Sequence, residues 1–261
     1  GATTAEEFKK AMKDLQKKGM KDMILDLQGN GGGYLNAAID LANEFLGQKE
    51  LIVYTEGRTA KRSDFYAKGN GDFRNGRLII LVDEYTASAS EIVSGAVQDW
   101  DRGIIVGRRS FGKGLVQRPI DLPDGSMIRL TIARYYTPSG RSIQKPYGST
   151  VDYNKDLIDR FNHGELMNAD SIHFPDSLKV QTKKLGRTVY GGGGIMPDYF
   201  VPIDTTLYTD YHRNLVGKGV IIKFTMQFIE EHRKELANKY KKFESFNEKF
   251  VIDDNMLATL R

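Results

Sequence analysis

Leu78-Ile79-Ile80-Leu81-Val82-Asp83-Glu84-Tyr85-Thr86-Ala87-Ser88-Ala89-Ser90-Glu91-Ile92 runs from a continuous apolar segment through a polar turn into a helical pattern. Five apolar residues bounded by turn residues read as a buried strand, and the spacing predicts a helix from about Ser88 to Asp99. A serine at such a strand-to-helix turn is aimed outward, with the amide of the next residue pointing into the same space. A plain N-cap explains the same serine, because Ser is favoured at helix starts.

The flanking sequence repeats the alternation. Met23 to Leu27 predicts a short buried strand leading into Gly29-Asn30-Gly31-Gly32-Gly33, and Leu35, Ala38, Ile39, Ala42, Phe45 and Leu46 mark a helix. Leu51–Tyr54 and Ile104–Val106 predict further strands, with polar, Gly-rich sequence after Tyr54. Upstream, Phe8, Ala11, Met12 and Leu15 share a helix face, with Thr4 and Glu7 spaced as a capping box and Gly19 placed to end the helix. Interleaved strands and helices predict an α/β fold: a mixed, mostly parallel sheet flanked by helices. From Leu115 the texture changes. Leu115–Ile120 and Met127–Ala133 flank Pro123-Asp124-Gly125, a β-hairpin signal, while 150–190 is polar and irregular. After Pro202 the pattern is helical, with Phe224, Phe228 and Ile229 assigned to one face and Phe243, Phe246 and Phe250 continuing the apolar spacing.

The 261 residues, 40% hydrophobic and 28% charged, suit a globular chain with a sizeable core. No apolar run approaches the ~20 residues of a membrane span. The absence of cysteine excludes a thiol nucleophile and a thiolate metal site. A net charge of +4 comes from 38 basic against 34 acidic residues. Acids and bases alternate, as in Glu230-Glu231-His232-Arg233-Lys234-Glu235, which points to a solvated surface and not to a nucleic-acid face.

Four chemistries compete. Gly107-Arg108-Arg109-Ser110-Phe111-Gly112-Lys113-Gly114 follows a strand as a phosphate loop does, but Gly114 replaces the metal-holding Ser or Thr and the next residues look extended. The Gly29–Gly33 loop lacks the dinucleotide fingerprint, and its bland reading is a tight turn with exposed amides. A Ser-His-Asp hydrolase lacks G-x-S-x-G, and His163, His173, His212 and His232 show no zinc-site spacing. A Ser-Lys hydrolase remains, competing with the N-cap reading of Ser88.

Ser88-Ala89-Ser90-Glu91-Ile92, Phe111-Gly112-Lys113-Gly114 and Gln117 together resemble the S41 peptidases, the carboxyl-terminal processing or tail-specific proteases. Leu25-Asp26-Leu27-Gln28-Gly29-Asn30-Gly31-Gly32-Gly33 is similar to that family's strand and glycine loop, with Gly31 where many members carry Pro. Ala133-Arg134-Tyr135-Tyr136-Thr137-Pro138-Ser139-Gly140 and Gly194-Ile195-Met196-Pro197-Asp198 follow in the family's order, so the resemblance covers about residues 5–202.

The resemblance implies a ClpP/crotonase-like core with Ser88 as nucleophile, Lys113 as general base and Gln117 orienting the lysine. It implies an oxyanion hole from the backbone N–H groups of Ala89 and Gly33, with Gly32 as fallback. The chemistry is coherent: a serine needs a base, and burial of a lysine against apolar neighbours such as Phe111 disfavours the ammonium. A neutral Gln117 adds no charge that would restore it.

Expected partners are protein or peptide substrates, with no cofactor, metal, nucleic acid or integral membrane segment; oligomeric state is left open. Family members work in the bacterial cell envelope or a plastid lumen, so an exported location is expected. The expected organisation is an S41-like core over 1–205 and a helical extension over 206–261. The PDZ module usual in the family finds no place in 1–261, which therefore reads as a catalytic-core piece. A non-catalytic peptide-binding or scaffold member of the fold is the alternative.

Overall fold

Short apolar runs that stop at glycine or a polar turn pair as parallel strands, and the residues after each stop form the loops of interest. The computed structural model describes residues 1–147, 153, 155–204, 206 and 209–260. In chain order the elements are α1 (Thr4–Lys17), β1 (Met23–Asp26), α2 (Leu35–Asn43), β2 (Leu51–Glu56), β3 (Ser63–Tyr66) and β4 (Leu78–Val82). Then follow α3 (Ala89–Asp99), β5 (Ile104–Gly107), β6 (Leu115–Asp121), β7 (Met127–Tyr136) and α4 (Asp156–Asn162). The remainder comprises β8 (Lys179–Gln181), β9 (Thr188–Tyr190), β10 (Tyr199–Phe200), α5 (Asp210–Gly217), α6 (Val220–Lys239), α7 (Phe243–Lys249) and α8 (Asp254–Leu260). They group into two units, Gly1–Pro202 and Ile203–Arg261.

The first unit is α/β with two four-stranded sheets. One is wholly parallel, in the order β1-β4-β5-β10, and the other antiparallel, in the order β3-β2-β7-β6. The division changes the role of Leu51–Tyr54. The alternating pattern placed that strand among the parallel ones, but β1 pairs directly with β4 and β4 with β5, leaving no position between them. β2 instead lies between β3 and the long arm β7, and Trp100 Nε1 donates to the Leu51 carbonyl at 2.7 Å. β3 itself comes from the polar stretch after Tyr54.

The predicted hairpin forms as β6 and β7, with Asp124 accepting from Ser126 in the connecting turn. The Gly194–Asp198 motif leads into β10, and the Asp198 carboxylate accepts from Ile105 N and Gln98 Nε2. At the N-terminus the capping box is not made. Thr3, not Thr4, is the N-cap, and it makes no side-chain cap bond.

Leu78, Ile80 and Val82 of β4 and Ile105 of β5 are buried in one cluster with Ala42, Phe45, Ile92, Val93, Ala96 and Val97. Alternation along the strands leaves Ile24, Ile79 and Ile104 as a row on the opposite face, where Ile24 is 66% and Ile104 51% exposed. One face of the parallel sheet thus carries the core and the other is open.

The second unit is helical. In α6, Phe224, Phe228 and His232 stack in sequence at i, i+4 and i+8, and Tyr240, Phe246 and Phe250 form a second aromatic group. Two expected members stand outside them. Ile229 is exposed because the aromatic row runs on a four-residue step that passes it by, and Phe243 is exposed at the first position of α7. Among the described residues no helix is long and apolar enough to cross a membrane.

Ile80→Ala removes a wholly buried side chain and is expected to cost about 2–5 kcal/mol. Ile24→Ala on the open face is expected to cost under about 0.5 kcal/mol. Urea midpoints at unchanged slope measure both; equal losses would contradict the two-faced sheet.

Candidate functional site

Parallel pairing of neighbouring strands brings their carboxyl ends side by side, and in open α/β sheets that edge is where ligands bind. Here β1, β4 and β5 each end in a special loop: the glycine loop after Asp26, the serine turn after Val82 and the lysine loop after Gly107. Gly107 permits the exit from β5, since a Cβ there would lie 1.9 Å from the Val82 carbonyl oxygen.

Side chains tie the first two loops together. The Asp83 carboxylate accepts from the Gly29 amide at 3.0 Å and from the amides of Tyr85 and Thr86. The buried Thr86 hydroxyl reaches the Leu27 carbonyl at 2.8 Å. Asn30 adds a second tie: its carbonyl oxygen accepts from Ala87 N, and its side-chain oxygen accepts from Gly32 N and Ser90 Oγ. A Cβ at Gly32 would stand 2.5 Å from the Ala87 oxygen and 2.6 Å from Ala89 N, so only glycine brings this loop so close.

Ser88, half-buried at the N-cap of α3, has φ +58° and ψ −116°. A side chain in that region costs of order 1–3 kcal/mol and is retained where surrounding bonds over-determine it. Glu91, wholly buried one turn into the helix, supplies those bonds. Its carboxylate accepts from Ser88 N at 2.7 Å, Gly112 N at 2.7 Å, Lys113 N at 2.9 Å and the Ser110 hydroxyl. Burial pushes the Glu91 carboxyl above its ordinary value, and the donations from Ser110, Lys113, Gly112 and Ser88 pull the other way without reversing it. One acid therefore holds the serine turn and the lysine loop in register.

The expected site residues are placed unequally. Ser88, Ala89, Gly32 and Gly33 share one rim with the backbone of Lys113. The Lys113 side chain, however, is exposed and makes no hydrogen bond to Ser88 among the described residues. Burial against Phe111 does not occur, because the ammonium of Lys145 takes that ring face at 3.9 Å and pairs with Asp156 at 2.9 Å. Gln117 is exposed on β6 opposite Thr131 and is not bonded to Lys113. The Gly32 amide is already committed to Asn30, which leaves the Gly33 amide as the freer donor. The phosphate-loop match runs into strand β6 where a helix N-terminus is required. His232 stacks on Phe228 and His163 caps α4.

Several residues of the site carry little or no signal in the sequence. Glu91 stands at the third helical position after Ser88, the capping-box spacing, so its pairing was open to recognition. Asn30 and Ser110 carried no such signal. Nor did the ion cluster in which Arg109 and Arg160 converge on Glu165 at 2.6–2.7 Å. Burial pushes the Glu165 carboxyl up, but the bonds and charges of the two guanidinium groups more than reverse it and hold it below its ordinary value.

Comparison with known proteins bears on the family and the fold. The model for peptidase family S41 matches residues 1–154, and a family described only as being of unknown function matches residues 211–261. The carboxyl-terminal-processing protease of Synechocystis sp. is 43% identical over 145 residues, 55% of this chain and 33% of that protein. Carboxyl-terminal-processing peptidase 3, chloroplastic, of Arabidopsis thaliana is 33% identical over 196 residues, 71% of this chain and 38% of that protein. The solved structure of the photosystem II D1 C-terminal processing protease has 27% identity and a TM-score of 0.56, covering 81% of this chain and 45% of that one. The chain thus spans between a third and just under half of the length of these relatives.

Glu91→Gln replaces one acceptor oxygen by a donor facing N–H groups. At about 1–3 kcal/mol per orphaned donor, the urea midpoint should fall by the equivalent of more than about 2 kcal/mol. For Glu165, the folded value lies below the unfolded one, near 4.3. Its stabilisation is then fully present above that pH and is lost as pH falls through the lower folded value. The melting-temperature gap between wild type and Glu165→Gln should be widest near neutrality and shrink below about pH 4; a gap that widens on acidification would reverse the assignment.

Proposed function

The chain belongs to peptidase family S41, and we propose that it is a serine endopeptidase that cleaves proteins at or near their C-termini through an acyl-enzyme. The observation that carries the reading is Ser88, held at positive φ on a strand-to-helix turn whose backbone shares the Glu91 carboxylate with Lys113. A serine under such constraint is a device for presenting a hydroxyl at a helix start.

In the proposed reaction Ser88 Oγ bonds to the scissile carbonyl carbon while Lys113 Nζ takes the hydroxyl proton. The carbonyl oxygen becomes an oxyanion facing the N–H groups of Ala89 and Gly33. Ala89 opens α3, so its N–H has no partner within the helix. Collapse breaks the C–N bond and the proton passes from Lys113 to the leaving amine. Water, deprotonated by the same lysine, then releases the acyl group and restores Ser88. Lys113 must be neutral to accept a proton and must swing from solvent onto Ser88, carrying only side-chain torsions because its backbone is already fixed by Glu91. Gln117 lies four residues on along β6 and orients the amine in that closed arrangement.

Substrates are proteins or peptides with an accessible C-terminus. The relatives come from bacteria and chloroplasts, which supports an exported location, in the cell envelope for a bacterial owner.

Cleavage of a fluorogenic peptide with a free apolar C-terminus tests the reading, with fluorophosphonate labelling as a second measure of the nucleophile. Ser88→Ala should abolish both. Lys113→Ala should lower both by about 10²–10⁴, the usual contribution of a general base, and Gln117→Ala should lower turnover less. Turnover that survives Ser88→Ala overturns the proposal. Peptide binding without turnover or labelling by the wild type would favour a non-catalytic member of the fold.

A further inference from the structure

The loop that carries Lys113 is braced from outside the segment matched by the family model, which ends at residue 154. α4 and the turn after it place Arg160 and Glu165 against that loop, both side chains buried. Arg160 directs Nη2 to the Arg109 carbonyl at 2.6 Å, Nη1 to the Ser110 carbonyl at 3.2 Å and Nε to Glu165 at 2.7 Å. Arg109 returns to Glu165 through Nε and Nη2, both at 2.6 Å, and reaches the Gly193 carbonyl with Nη1 at 3.0 Å. The Glu165 amide closes the turn on the Arg160 carbonyl. Two successive carbonyls of the lysine loop are thereby fixed by one planar guanidinium, which is itself held by a carboxylate.

These bonds stand in series with the proposed catalytic groups. Ser110, whose carbonyl Arg160 holds, donates its hydroxyl to Glu91, and Glu91 accepts from the amides of Ser88 and Lys113. We infer that Arg160 is a positioning residue for the reaction: with Glu165 it sets the backbone of the Arg109–Lys113 loop, and so the point from which the lysine side chain reaches Ser88. The inference rests on the Ser88–Lys113 reading given above. A lysine cannot substitute, since a single ammonium on a flexible stem does not present the three coplanar directions that two carbonyls and a carboxylate require. The brace touches neither Ser88 nor the glycine loop, so its loss should be felt in turnover more than in substrate binding.

The test compares Arg160→Lys and Glu165→Gln in the full chain with Arg187→Lys. Arg187 pairs with Asp101 and Asp198 near the far end of α3, and its variant serves as a control that disturbs an ion pair away from the loop. All are assayed well below their melting temperatures. The expected result is a fall in kcat of about tenfold to a hundredfold, as a misplacement near 1 Å produces, with KM within about twofold and a matching loss in the rate of fluorophosphonate labelling per folded molecule. Arg187→Lys should leave kcat and labelling unchanged. A lowered melting temperature with wild-type kcat and labelling in both brace variants would make the cluster merely structural and overturn the inference. If Arg160→Lys does not fold, Glu165→Gln decides, because it keeps both guanidinium groups. Activity that persists in Ser88→Ala defeats the catalytic reading itself. Inactive Ser88→Ala and Lys113→Ala beside fully active brace variants defeat the positioning inference alone.

Discussion

A carboxylate removed from water must find donors or lose its charge, and Glu91 finds four of them on two different loops. Three are main-chain amides, of Ser88, Gly112 and Lys113, and the fourth is the Ser110 hydroxyl. This one group converts a local helix-start motif into a long-range constraint. The serine turn cannot relax its unusual backbone without releasing Ser88 N, and the lysine loop cannot move without releasing two amides. The four donations offset part of the cost of burying the acid.

Around that acid, the rest of the first unit reads as scaffolding in layers. Asp83 and Thr86 fasten the serine turn to the end of β1, Asn30 fastens the glycine loop to α3, and Arg160 with Glu165 fasten the lysine loop to α4. Each tie joins residues far apart in sequence but consecutive in the parallel sheet or packed on its edge. The sheet supplies adjacency; the side-chain bonds supply precision.

What the sequence made legible was local. The apolar run of β4 and the helix start after its turn are decided largely by neighbours within ten residues, and each forms where its pattern predicts. Pairing was not legible. β2 has the composition of any buried strand, and only its antiparallel pairing with β3 and β7 shows that it belongs to the other sheet. The side-chain setting of the lysine loop was equally hidden. Phe111 is the apolar neighbour that pattern suggests for Lys113, yet Lys145, from beyond the hairpin, occupies the ring instead. Glu91 lay between these cases: its capping-box spacing is local, while its service to Gly112 and Lys113 is visible only once the loops meet.

The backbone of Ser88 has a bearing on how such a chain changes over generations. Glycine would occupy a positive-φ position without strain, so a search for stability alone would drift toward it and erase the hydroxyl. A consensus or thermostabilising redesign scored on folding energy would treat position 88 as a defect to be repaired. Removing the strain and keeping the hydroxyl are therefore opposed at a single dihedral angle.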